Sequence, residues 1–401
     1  MQDRASNINL QRLDTRVESV KSRIDSKPYN KKKSALECEL QGFLKALPSQ
    51  DDVQTCSPED VLRFLAWKDE AGKGKTQVHL VDCKFLGQPG IYDCGCPVRL
   101  SAGYIKGIVV KLKSIFAERG RGTAWDGTGN PACAPGVTAY YKGVEDEQAE
   151  AHVVPVQATP LLPEKLVKLS NYLTRELIYG DLGPKEEFLV ARDRAFFMLQ
   201  FFAGDRGHDL CHLLGQEIRR LPGDVGLLVR QTYGKQRNIN VFAIKRSSDP
   251  AMCPVKALDE YITRGRQLGV DMAVGYVFRA VSAEGNVLDS CLSQSAISKR
   301  LARHLSSIGL FQGETTHGIR GGCAVTLGLL GASSQEAKDH IGWKSNSSWE
   351  LYSRHKARKA LNVADMLSNV VANAQESLSL SEQYCFIDLQ GLELAYPSSD
   401  R

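Results

Sequence analysis

The sequence predicts a mainly α-helical chain with a small β-sheet, split into two domains. Three observations lead there. At 401 residues the chain exceeds the ~100–200 residues of a single domain. Apolar residues recur at helical spacing along most of it. One stretch, GLLVRQTYGKQRNINVFAI at 226–244, instead alternates apolar and polar around Tyr233-Gly234-Lys235, as a β-hairpin does. A segment with three prolines, AHVVPVQATPLLP at 151–163, separates a helical first part from a mixed second part.

Each element has a local reason. Residues 1–50 begin polar and basic, with one helix expected from about Leu10 to Ile24 and then the run Lys31-Lys32-Lys33, so they read as a basic arm. Ser57-Pro58-Glu59-Asp60 supplies an N-cap, a proline at the first helical position and acids in the first turn. Val61, Leu62, Leu65 and Ala66 follow as an apolar stripe. A second helix runs from Ser101 to Arg119, stopped by Gly120, and a third from Pro135 to Ala149. In the second part, helices are expected at 164–178, 191–203 and 206–214, from Pro254 to Leu268, and from Ser293 to Ile308. Others span Thr316–Leu330, Ser334–Ile341 and Ser347–Leu361, and Tyr276–Phe278 has strand character. The organisation read from this is an arm at 1–50, a helical domain at 51–150, a linker at 151–163, a second domain at 164–364 and a tail at 365–401.

Composition narrows the class. A hydrophobic share of 42% with 24% charged residues is ordinary globular composition and excludes a wholly disordered chain or a fibre. No apolar run approaches the ~18–20 residues of a membrane span, and the N-terminus lacks the apolar core of a signal peptide. Eleven scattered cysteines, an odd number, read as reduced thiols of a cytosolic or nuclear protein. The net charge of +5 is an average over opposing parts. Residues 1–33 carry nine basic against four acidic residues, whereas the tail from Val363 carries one against six. Two inner stretches, 191–246 and 294–362, carry ten against five and ten against four.

The region from 316 onward concentrates chemistry. It reads T-H-G-I-R-G-G, then G-W-K-S, then Y-S-R-H. His317 and Arg320 share one helix face, Trp343 follows Arg320 by twenty-three residues, and Tyr352 follows Trp343 by nine. Upstream, Arg206 opens a helix with Asp209 three residues on, and Lys235 tips the hairpin. Metal-free phosphodiester chemistry needs a nucleophile, cations for the non-bridging oxygens and a proton donor, and these residue types supply all three. Each also has a structural use. Arg320 and His317 suit a surface pair, Tyr352 and Trp343 suit core packing, and a hairpin-tip lysine is usually solvated. Arg192 and Arg194 compete with Arg206. His79, Cys83, Cys94, Cys96 and Cys133 suggest zinc, but structural sites favour pairs two to four residues apart and Cys94-Gly-Cys96 has one between, so no metal is expected.

Arg206, Lys235, His317, Arg320, Trp343 and Tyr352, in this order and spacing, resemble the catalytic domain of tyrosine recombinases, the phage-type integrases. Gly331 and Asp209 fit the same pattern. The stretch TGNPACAPGVTAYYKGVEDEQ, the R-G-G after Arg320 and the tryptophan at 343 look most like eukaryotic Crypton-type transposon recombinases. The resemblance covers 164–362, and more loosely 57–150 as a core-binding domain. It implies a two-domain DNA clamp that cuts and rejoins DNA through a 3′-phosphotyrosine for integration or excision. In that reading Tyr352 is the nucleophile, and Arg206, Arg320 and Trp343 hold the phosphate oxygens. Lys235 is the acid, His317 assists, and Asp209 orients a cation from behind. Arg230, Arg237 and Lys344, with Lys31, Lys32 and Lys33 of the arm, are candidate DNA-backbone contacts. No metal or cofactor is implied. Double-stranded DNA is the partner, with a tetramer formed in synapsis through the C-terminal tail and no membrane. The location is nuclear in a eukaryote and cytoplasmic otherwise. A DNA-binding protein that keeps the fold without strand exchange, a topoisomerase using the same chemistry, and a scaffold remain open.

Overall fold

The computed structural model describes residues 11, 14–19, 28–70, 74, 76–88, 90–153, 158–234 and 239–352, with only the backbone at 28, 351 and 352. The chain is mainly helical, and among the described residues no helix is long and apolar enough to cross a membrane. It forms two units, Met1–Val156 and Gln157–Arg401.

The first unit is built on helices α1 (Pro28–Ala46), α2 (Pro58–Glu70), α3 (Ala102–Phe116) and α4 (Pro135–Glu150), with a short antiparallel pair β1 (Thr76–Gln77) and β2 (Val98–Arg99). The N-terminus of α2 is closed reciprocally. Ser57 Oγ accepts from the Asp60 N–H at 3.2 Å, and Asp60 Oδ2 accepts from the Ser57 N–H at 3.0 Å. Ser101 caps α3, whose stripe Ile105, Ile108, Leu112 and Phe116 meets Phe64, Leu65 and Val137 in the core.

Residues 28–46 of the expected basic arm instead form α1, and Lys31–Lys33 lie inside it. Leu36, Leu40 and Leu44 of that helix are buried in the same core. Their spacing of four residues is a helix face, hidden in the sequence by the polar residues between them. Lys33 ion-pairs with Glu118 at 2.5 Å, so it is committed within the unit, whereas Lys31 and Lys32 are exposed.

The second unit centres on α6 (Pro184–Ala203), buried nearly all round, with α5 (Pro163–Tyr179) against it. α6 starts seven residues earlier than expected. Pro184 takes the first position, and Glu186 accepts from the Gly183 N–H at 2.9 Å. Its buried charges are paired. Asp193 accepts from Arg192 at 3.0 Å, from His304 at 2.9 Å and from Arg300, while Arg194 donates to Glu260 at 2.6 Å. Arg192 and Arg194 are therefore structural.

After α7 (Gly207–Cys211) come β3 (Ile218–Arg220), β4 (Gly226–Gln231) and β5 (Asn240–Lys245), an antiparallel sheet in that order. Val229 faces Phe242 and Leu228 faces Ala243, so Leu227, Val229, Phe242 and Ile244 line the core, and Arg230 and Lys245 face out. α8 (Pro254–Gln267) precedes the pair β6 (Arg279–Val281) and β7 (Val287–Cys291). The strand expected at Tyr276–Phe278 thus begins at Arg279. Val277 and Phe278 are both buried, whereas a one-faced strand would alternate. Then follow α9 (Gln294–Ser307), α10 (Thr316–Leu329), α11 (Ser334–Ile341) and α12 (Asn346–Tyr352).

Part of the expected linker is integral to this unit. The Leu161 N–H donates to the Gly318 carbonyl at 3.0 Å. A Cβ at Gly318 or Gly322 would fall deep inside van der Waals distance of the Thr159 or Leu161 carbonyl oxygen. The glycines around Arg320 thus let residues 159–161 lie directly on α10. The acidic tail at 365–401 lies outside the described residues.

Candidate functional site

The loop Gly204-Asp205-Arg206 joins α6 to α7 and carries the first cation. Gly204 ends α6 with φ +59°, a conformation only glycine adopts cheaply, and a Cβ there would collide with Ile341. Arg206 is about one-third exposed and reaches the Asp209 carboxylate at 3.3 Å. Arg320, on the buried face of α10, donates to the Gly204 carbonyl at 2.8 Å and stacks on the Trp343 ring, 4.9 Å from its centroid. One loop therefore presents Arg206 while Arg320 holds that loop from behind.

His317 lies one turn before Arg320 and remains exposed. Packing against its surroundings disfavours the charged ring, and the nearby Arg320 and Arg206 add to this, so its pKa lies below the ordinary value. Lys344 is exposed beside the buried Trp343. The structure thus brings Arg206, Asp209, His317, Arg320 and Trp343 to one corner. Arg230 is exposed on β4 of the neighbouring sheet. The hairpin reaches this corner at Gly234, where a Cβ would lie 3.7 Å from Asp209 Oδ2. Lys235 and Arg237 lie outside the described residues, and Tyr352 ends α12 with only its backbone described.

Asp205 was missed in the sequence. It is 3% exposed, accepts from the Arg206 N–H and from Gln231 Nε2, both at 2.7 Å, and lies near Asp209 and Arg320. Burial raises its pKa to about 6. The signal available was an acid directly before the loop arginine. Chemically this corner can bind an anion such as a phosphate, with guanidinium charge facing outward and carboxylates holding it in place.

A second cluster lies in the first unit. His79, Cys83, Cys94 and Cys96 place their ligand atoms within 4.8 Å of one another, which corrects the expectation of no metal site. Cys83 Sγ is 3.5 Å and Cys94 Sγ 3.4 Å from His79 Nδ1. Gln77, two residues before His79, holds the loop that carries Cys94 and Cys96. Its Nε2 donates to the Tyr92 and Cys96 carbonyls, and its Oε1 accepts from the Tyr92 N–H at 2.6 Å. Gly95, at φ +70°, makes the one-residue turn between two cysteines possible. A donor N–H from Leu80 lowers the Cys96 pKa, whereas burial raises that of Cys94. One His and three Cys match a structural zinc ligand set. The spacing rule failed because folding, through Gln77 and the β1–β2 pair, joins two short pairs. Cys133 is not among these four.

Comparison with known proteins changes the functional expectation. Residues 18–146 match the model of the ALOG domain. The chain is 35% identical over 105 residues to Protein LIGHT-DEPENDENT SHORT HYPOCOTYLS 5 of Arabidopsis thaliana, covering 26% of this chain and 55% of that protein. It is 36% identical over 103 residues to Protein G1-like7 of Oryza sativa subsp. indica, covering 25% and 46%. The chain thus spans about half the length of these curated relatives. By structure it is similar to the XerH site-specific recombinase bound to a palindromic difH substrate, at TM-score 0.51 and 15% identity over 82% of this chain and 76% of that one. That likeness is one of fold. The expected strand-exchanging recombinase, and its assignment to the Crypton group, are overturned, because the sequence-level matches are to the ALOG domain and to these proteins of Arabidopsis thaliana and Oryza sativa, whereas the likeness to XerH is one of fold alone.

Proposed function

We propose that this protein binds double-stranded DNA, using the first unit as a metal-stapled DNA-binding domain and the corner around Arg206 and Arg320 of the second unit to hold a backbone phosphate. The observation that carries the reading is that corner: a buried arginine fixes a loop that presents a second arginine, beside a histidine. Phosphate contacts need guanidinium charge in a fixed place and carry no sequence information themselves. The XerH structure, a complex with its difH substrate, and the ALOG match lend support. A zinc ion at His79, Cys83, Cys94 and Cys96 would cross-link the loops of the first unit, which the β1–β2 pair alone barely anchors. A DNA partner places the work in the nucleus of a eukaryotic cell.

Selection from a random-sequence duplex library tests this. The reading expects recovery of enriched duplexes that bind reversibly. Failure to retain any duplex at low salt would refute it. So would a covalent protein–DNA adduct with nicked versions of the enriched sites, since the proposal includes no bond breakage.

A further inference from the structure

We propose that Asp205 is a positioning residue that couples phosphate binding at Arg206, on the loop that Arg320 holds, to the uptake of one proton, so that the grip on DNA tightens as pH falls. The inference rests on the phosphate reading above. The Asp205 carboxyl is buried. One oxygen accepts from the backbone N–H of Arg206, and the other from Gln231, the last residue of β4. Gln200 donates to the Asp205 carbonyl at 3.2 Å and to the Thr316 carbonyl at 2.7 Å. The residue therefore ties the Arg206 loop to the base of the hairpin and to the start of α10.

The surrounding charges make its protonation state matter. On its own loop and α7 it faces Arg206, Asp209 and the buried Cys211 thiol. On α10 it faces Arg320, with His317 and the buried Cys323 beside that arginine. β4 and α6 contribute neutral amides, Gln231 and Gln200. With both carboxyls ionised, Asp205 and Asp209 balance Arg206 and Arg320, and an arriving phosphate meets no net charge. When Asp205 takes a proton from solvent, one positive charge is left uncompensated. The new O–H can donate to Gln231 once its amide turns to present Oε1. Burial already brings this exchange to about pH 6, and a bound anion shifts it further up. By linkage, a site that gains a proton on binding an anion binds that anion more tightly at lower pH.

The test measures affinity for one fluorescent duplex between about pH 5 and about pH 8, around the reference range of these groups. Wild type should lose on the order of tenfold in affinity as pH rises through this window. Asp205→Asn should keep its acid-side affinity across the window, apart from the share owed to His317, which Asp205→Asn/His317→Gln removes. An Asp205→Asn profile that overlays wild type overturns the inference. If Arg206→Ala binds like wild type at every pH, the phosphate reading itself has failed. Carboxyl NMR on wild type avoids dependence on the variant's folding. The Asp205 midpoint should lie near 6 and rise on adding inorganic phosphate. A midpoint in the ordinary aspartate range, unmoved by phosphate, overturns the inference.

Discussion

Replacing Gly322 by alanine probes whether the glycines flanking Arg320 serve packing. Alanine would normally favour a helix interior by about 1 kcal/mol over glycine. Here its methyl would overlap the Leu161 carbonyl oxygen, and the carbonyl belongs to backbone, which cannot swing aside as a side chain does. Residues 159–161 and α10 must then separate by about 1 Å or more to restore contact distance. That strains the Leu161 N–H to Gly318 hydrogen bond, now 3.0 Å. Overpacking costs about 1–3 kcal/mol and a weakened buried hydrogen bond about 1. Set against the propensity gain, the net loss is about 2 kcal/mol, a fall of roughly 4–8 °C in the Tm of the second unit. Thermal unfolding followed by circular dichroism measures it. Gly143→Ala, in α4 where a Cβ meets open space, is the control and should hold or gain stability. A Gly322→Ala protein that melts at or above wild type would refute the packing explanation.

Three further outcomes are expected. The purified protein should carry about one equivalent of zinc by elemental analysis. Cys94→Ser should lower the melting of the first unit well beyond the ~1 kcal/mol of an ordinary substitution while the second unit melts unchanged. Leu40→Ala should cost about 2–5 kcal/mol by urea titration, because α1 is core; a value near zero would restore the arm. Asp193→Asn should cost about 3–5 kcal/mol, since it leaves Arg192, Arg300 and His304 facing an uncharged partner. Burial alone would raise the Asp193 pKa, but Arg192, His304 and Arg300 hold it below the ordinary value. Its stabilisation is therefore present above about pH 4 and lost as pH falls below that, and the variant should lack this acid-side loss in urea midpoints.

What the sequence could convey depended on how local each signal was. The β4–β5 hairpin was legible because alternation over 226–244 has one period and one turn. The clustering of Arg206, Asp209, His317, Arg320 and Trp343 followed from spacing within a familiar pattern. The biological assignment did not, since the same fold serves different functions and the informative sequence similarity lay in 18–146. α1 was hidden because three leucines are spread through a lysine- and glutamate-rich segment. The His79, Cys83, Cys94 and Cys96 cluster was hidden because its two halves are separated by ten residues and only the fold brings them together. Asp205 offered only the signal of an acid directly before the loop arginine, because its burial against Gln231 and near Arg320 is set by residues distant in sequence.

The proposed grip of the second unit on a DNA phosphate depends on Arg206. The most direct measurement is the salt dependence of affinity for a selected duplex, in wild type and Arg206→Ala. Each phosphate contact contributes about 0.9 to the slope of log affinity against log salt. Arg206→Ala should bind more weakly, with a slope shallower by about 0.9. Equal affinity and an unchanged slope would contradict it.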